Sequence, residues 1–135
     1  MSYRLLLPAL LVSLLAPATV GAQSYVTTTS HRVPFERIDS LRLLLKETKP
    51  VTAEAKRRGG ILDDVWLVHA WGGEYSVVQM TTWKSWAAIG DTALGFGAAT
   101  RKVYPDSVAR KKINDRFNWV FEGVSHVDNI YQKIE

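Results

Sequence analysis

Two runs of strand-forming residues, Ile61 to Trp71 and Glu74 to Trp83, are separated only by Gly72-Gly73, and this spacing constrains the fold more than any other part of the chain. Two glycines accept the positive φ of a primed two-residue turn without a Cβ penalty, so the segment predicts an antiparallel hairpin. Such a turn sets the register: Trp71 faces Glu74, Val68 faces Val77 and Trp66 faces Gln79. One face then carries Val65, Leu67, His69 and Trp71 with Glu74, Ser76, Val78 and Met80. The other carries Trp66, Val68 and Ala70 with Tyr75, Val77, Gln79 and Trp83. Both faces are largely apolar, whereas a sheet with one wet side alternates between apolar and polar. Each face therefore needs a cover.

The rest of the chain supplies the partners. Tyr25 to Arg32 is rich in β-branched residues and predicts a first strand. From Pro34 the period changes: Phe35, Ile38, Leu41, Leu45 and Thr48 recur three or four apart, which is an amphipathic helix. Pro50 bends or restarts it, since proline has no N–H to give the preceding turn, and Gly59-Gly60 ends it. Lys84 to Phe117 reads as helix in pieces: Ser85 to Ile89, about Leu94 to Tyr104, then Asp106 to Phe117 after the break at Pro105. Phe121 to Tyr131 predicts a closing strand. The order is β-α-β-β-α-β, an α+β ferredoxin-like pattern with a four-stranded antiparallel sheet. In that topology the helices cover one sheet face, so the second apolar face predicts a sheet-to-sheet homodimer.

With that order across Tyr25 to Tyr131, and with the segment Thr81-Thr82-Trp83-Lys84-Ser85-Trp86-Ala87-Ala88 running from strand through an aromatic into a short helix, the chain resembles the dimeric α/β-barrel superfamily. Antibiotic-biosynthesis-monooxygenase-like and stress-responsive barrel proteins belong to that group. The resemblance implies a dimer with a cavity between each sheet and its helices. It implies no single activity, because the superfamily holds cofactor-free oxygenases, haem-degrading enzymes, isomerase-like enzymes and proteins without known chemistry.

Residues 1–22 bear on location. Arg4 precedes an apolar run from Leu5 to Val20, interrupted by Pro8 and Pro17, and Val20-Gly21-Ala22 offers small residues to a signal peptidase. The run is shorter than the roughly 20 residues of a spanning helix, so the expectation is a cleaved signal peptide, no stable membrane anchor afterwards, and a single domain over residues 23–135 that is periplasmic or secreted. No cysteine occurs, which excludes disulfides, thiolate metal sites and cysteine nucleophiles. The basic groups Lys56-Arg57-Arg58 and Arg110-Lys111-Lys112 fall on predicted helices and read as solvated faces, so no nucleic-acid partner is expected.

Chemistry is centred on His31, His69 and His126. In the strand order 4-1-3-2, His69 and His126 sit on opposite edges, about 14 Å apart, and His31 is two spacings from His69, so no metal site is expected. Another grouping survives. His31 ends the first strand, His69 and Trp71 end the second, and Glu74 begins the third, with Ser76 on the face of Glu74 and His69. A carboxylate beside an imidazole orients it as a general base or polar clamp, making His31, His69, Trp71, Glu74, Ser76 and His126 the candidate ligand-binding residues and His69, Glu74 and His126 the catalytic candidates. The five tryptophans, Trp66, Trp71, Trp83, Trp86 and Trp119, suit an aromatic pocket for a flat organic ligand or haem; Trp66 and Trp83, which share a hairpin face with Tyr75, equally suit a dimer interface, and core and interface are the expectation for most of the five. The expected ligand is a small, largely apolar molecule, with no cofactor. The alternatives are a cofactor-independent monooxygenase or isomerase-like enzyme and a noncatalytic protein-interaction dimer.

Overall fold

The computed structural model of the chain describes residues 23–71 and 74–134. The export segment Met1 to Ala22 and the turn residues Gly72-Gly73 lie outside the described residues. Four strands, β1 (Tyr25–His31), β2 (Ile61–Val68), β3 (Val77–Trp83) and β4 (His126–Gln132), form one antiparallel sheet in the order β2-β3-β1-β4. The hairpin has the expected register, with Val68 on Val77, Leu67 on Val78 and Trp66 on Gln79. Its regular ladder is shorter than the two runs suggest. Beyond Val68 one further bond, from the His69 N–H to the Ser76 carbonyl at 2.8 Å, continues the pairing. A bulge at Leu62, between Ile61 and Asp63, absorbs one residue at the other end.

The first crossover is a helix in two parts. After a short 3-10 turn at Phe35–Arg37, α1 spans Ile38–Glu47 and α2 spans Lys49–Arg57. The break falls at Thr48, two residues before the Pro50 that cannot donate to a continuing helix. Gly59 follows the end of α2 at φ +81°, a left-handed cap that a side chain would strain. The second crossover holds α3 (Trp86–Gly90), α4 (Phe96–Val103) and α5 (Ser107–Phe121). Asp106 caps α5 by accepting the Ala109 N–H at 2.7 Å. The helix runs to Phe121, so residues 121–125 are not strand as the sequence suggests, and β4 begins only at His126. Phe117, Val120 and Phe121 recur at helical spacing and pack against β1 and β3 side chains, and that burial overrides the β-like composition.

The helices of the described residues pack on one sheet face. The core there is two separate clusters: Val51, Ala55, Ile61, Trp83, Ala88 and Ala99 toward one end, and Val33, Ile38, Leu41, Val77 and Val120 toward the other. Trp66 and Trp83 belong to this covered face, so of the places open to them the dimer interface is excluded, with Trp83 in the core and Trp66 packed beside it. Trp66 packs with the second cluster, and Trp83 is 8% exposed with its indole N–H donating to Thr27 Oγ1 at 2.9 Å. The opposite face carries Val65, Leu67, Met80, Val127 and Tyr131, each at least one third exposed.

Candidate functional site

Between the two core clusters the sheet and helices do not close. A cavity of about 400 Å³ lies there, bounded by the sheet residues Thr29, His31, Asp64, Trp66 and Gln79 and by side chains of α1, α2, α4 and α5. Its helical wall is mainly apolar, with Leu45, Val51, Phe96, Ile113, Phe117 and Phe121. The threonines of that wall are partly spent on their own helices. Thr48 Oγ1 donates to the Leu44 carbonyl at 2.9 Å and Thr100 Oγ1 to the Phe96 carbonyl at 2.8 Å. On the sheet side Thr29, Asp64 and Gln79 present polar side chains to this space, while Trp66 and His31 pack toward Phe121 at one end of it.

Two polar groups mark different levels of this cavity. At the level of the Val77–Val68 pair, His31 sits among aromatic rings: Phe121 at 4.4 Å, His126 at 5.8 Å and a parallel Trp66 at 6.4 Å between centroids. Burial, then the neighbouring His126, lowers the pKa of His31 from the ordinary imidazole value, while Asp128 opposes the shift. The shift favours the neutral form of the ring. Four residues along the sheet, roughly 13 Å at the usual strand rise, Asp64 faces the same cavity from its register position opposite Thr81. Its Oδ1 accepts from Gln79 Nε2 at 2.9 Å and from Thr81 Oγ1 at 2.8 Å. Aromatic and aliphatic surface joins the two levels, as in sites that hold a mostly apolar molecule by a few placed polar groups.

Of the six candidate residues named from sequence, His31 lines the cavity. His126 begins β4 directly opposite His31, exposed, with Nε2 3.4 Å from Asp128 Oδ2. His69 is exposed past the end of β2, and Trp71 is 93% exposed. Glu74 forms an ion pair with Arg32, with which both side chains remain more than half exposed. Ser76 serves the fold: its hydroxyl donates to the Val33 carbonyl at 2.7 Å and its N–H to the His31 carbonyl at 3.0 Å, tying the start of β3 to the end of β1. Among the described residues no group of three or more metal-ligating side chains is arranged around a common point, and no helix is long and apolar enough to cross a membrane.

Sequence reasoning missed Asp64 and the pairing of His31 with His126. Asp63-Asp64 reads as a polar start to a strand, and the alternation that sends the two to opposite sides does hold. Asp63 meets Lys56 at 2.6 Å, which holds its carboxyl below the usual range, and Asp64 turns to the cavity. The available signal was the hairpin register, which puts Asp64 opposite Thr81 and diagonal to Gln79. For the histidines it was the strand order, which makes β1 and β4 neighbours.

This architecture is ferredoxin-like: four antiparallel strands in the order 2-3-1-4 with the described helices on one face. The fold is similar to that of a NIPSNAP family protein from Agrobacterium tumefaciens, with TM-score 0.55, 15% identity, and coverage of 83% of this chain and 87% of that one. A dimeric ferredoxin-like protein from an uncultured marine organism matches with TM-score 0.52 and 14% identity over 84% of this chain and 97% of the other. A conserved protein from Methanosarcina mazei matches with the same TM-score and identity over 84% and 95%. At such identities the likeness extends to the fold alone. No family model matches the chain, and no curated protein matches it in sequence.

Proposed function

We propose that this chain is an exported homodimer that binds a small, largely apolar molecule in the cavity between sheet and helices. The cavity carries the reading: about 400 Å³ of space walled by Trp66, Phe96, Phe117, Phe121 and aliphatic side chains, with polar groups at two separate levels. Dimerisation is supported by the uncovered apolar sheet face and by the dimeric description of one protein of the same fold. Export rests on the sequence of residues 1–22.

Titration of the purified protein with the fluorescent apolar probe N-phenyl-1-naphthylamine tests the reading. One probe per subunit is expected, with binding abolished by Thr100→Trp, which fills the cavity from α4. Equal binding by the filled variant would place the probe elsewhere and count against the cavity.

One observation favours a second reading as a cofactor-independent oxygenase or isomerase. An imidazole, His31, stands in the cavity wall among aromatic rings that favour its neutral form, where a base is needed to take a proton from a bound phenol or enol. Oxygen uptake with a panel of quinols, lost in His31→Gln, is the expected signature. No uptake by the intact protein would leave binding alone.

A further inference from the structure

The binding partner's chemistry is written in how Asp64 is left. Its Oδ1 is taken up by two neutral donors, the Gln79 amide and the Thr81 hydroxyl, while no protein donor reaches Oδ2 among the described residues. Adjacent Asp63 is matched by the ammonium of Lys56, but none of the ion pairs among the described residues includes Asp64. The cavity wall contains no lysine or arginine, and its one histidine, His31, lies at the other level.

An apolar molecule that filled this cavity would strip water from Oδ2 and give nothing back. Leaving a buried acceptor unmatched costs about 1–3 kcal/mol, and more for a charged one. A ligand that donates there removes the cost, and one that also carries positive charge forms a charge-assisted bond of roughly twice the strength of a neutral one. A carboxylate ligand meets like charge instead.

We propose that the cavity's ligand is an arylalkyl amine, its ammonium on Asp64 Oδ2 and its ring system against the aromatic wall of Trp66 and Phe117. This inference rests on the cavity being a binding site. Asp64 is then the specificity-determining residue, and Gln79 and Thr81 are positioning residues that hold its carboxyl plane with one oxygen free.

Calorimetric titration with three compounds sharing one ring system tests the proposal: 2-(1-naphthyl)ethylamine, the neutral 1-ethylnaphthalene and the acid 3-(1-naphthyl)propionate. The intact protein should bind the amine about tenfold or more tightly than either of the others. Asp64→Asn, which keeps shape and hydrogen-bonding capacity, should erase that preference by weakening the amine, while the neutral compound, no longer desolvating a carboxylate, binds at least as tightly as to the intact protein. Neutral or acidic compound bound as well as the amine would overturn the proposal while leaving the cavity a binding site, as would a preference that survives in Asp64→Asn. Binding of none of the three would overturn both. The ranking on the intact protein needs no variant, so it decides the matter even where Asp64→Asn fails to fold.

Discussion

His31 and His126 occupy paired positions on β1 and β4, with their rings 5.8 Å apart. Two imidazoles this close resist carrying charge together, and burial of His31 adds to the resistance, so its folded pKa lies below the unfolded value. Well above the ordinary imidazole pKa of about 6.5 the ring is neutral in both states and has no effect on stability. As pH falls below that, the unfolded chain takes up the proton more readily than the folded one, and stability drops until the folded pKa is passed. Melting temperature measured from pH 7.5 downward should therefore fall more steeply for the intact protein than for His31→Gln. His126→Ala should recover only part of the difference, since burial is the larger cause. A proton NMR titration that placed His31 at or above the ordinary imidazole value would sink this account.

Asp64, Gln79 and Thr81 should behave as a unit in unfolding experiments. Thr81 is 4% exposed, and its hydroxyl donates to the same oxygen that receives Gln79. Thr81→Val removes the donor with little change of shape and should cost about 1–2 kcal/mol in urea unfolding. Asp64→Ala strands both donors and should cost about as much or more. In the double variant the losses should fall short of their sum, because each partner's value depends on the other. Strict additivity would mean that the bond is not made in solution.

The contrast between the two sheet faces explains why the fold was more legible than the site. Hairpin register, the helix break at Pro50 and the strand order all follow from local rules that act on neighbouring residues: paired glycines, a missing N–H, a crossover that returns to the same sheet. The site depends on which face the helices choose. Local pattern shows only that both faces hold apolar residues; it does not show that helices would settle on the face carrying Thr27, Thr29, Asp64, Gln79 and Thr81 and leave Val65, Leu67 and Met80 open. Asp64 looked like a strand-end residue because its two donors lie 15 and 17 positions away. Glu74 looked like a partner for His69 because the ideal hairpin was extended to its turn, whereas the regular ladder ends at Val68 and Val77 and leaves Glu74 near Arg32.

Glu74→Gln should accordingly be nearly silent. Its ion pair with Arg32 is largely solvated, and exposed pairs contribute about 0–1 kcal/mol. Melting temperature and the preference for the arylalkyl amine should both stay close to those of the intact protein, whereas Asp64→Asn should lose that preference. A large loss of binding in Glu74→Gln would return the hairpin tip to consideration as part of the site.

The open sheet face gives the most direct test of the assembly. Leu67 stands on this face near the end of the edge strand β2 at 47% exposed, opposite Val78 and beside Val65, with Met80 one pair further along β3. A patch of this composition on a single sheet is stable in water when a second apolar surface covers it, and a second copy of the same face is the occupant with matching shape and symmetry. Leu67→Lys places a charge in that contact. Since each interface of a two-fold dimer contains the residue twice, two ammonium groups face a dry surface and one another. The intact protein should elute and scatter light as a dimer, and Leu67→Lys as a monomer with the same far-ultraviolet circular dichroism. Glu74→Gln, beyond the end of the regular ladder and paired with Arg32, should remain dimeric and serves as the control. A monomeric intact protein, or a Leu67→Lys variant that stays dimeric, would show that the uncovered face is not where copies of this chain meet.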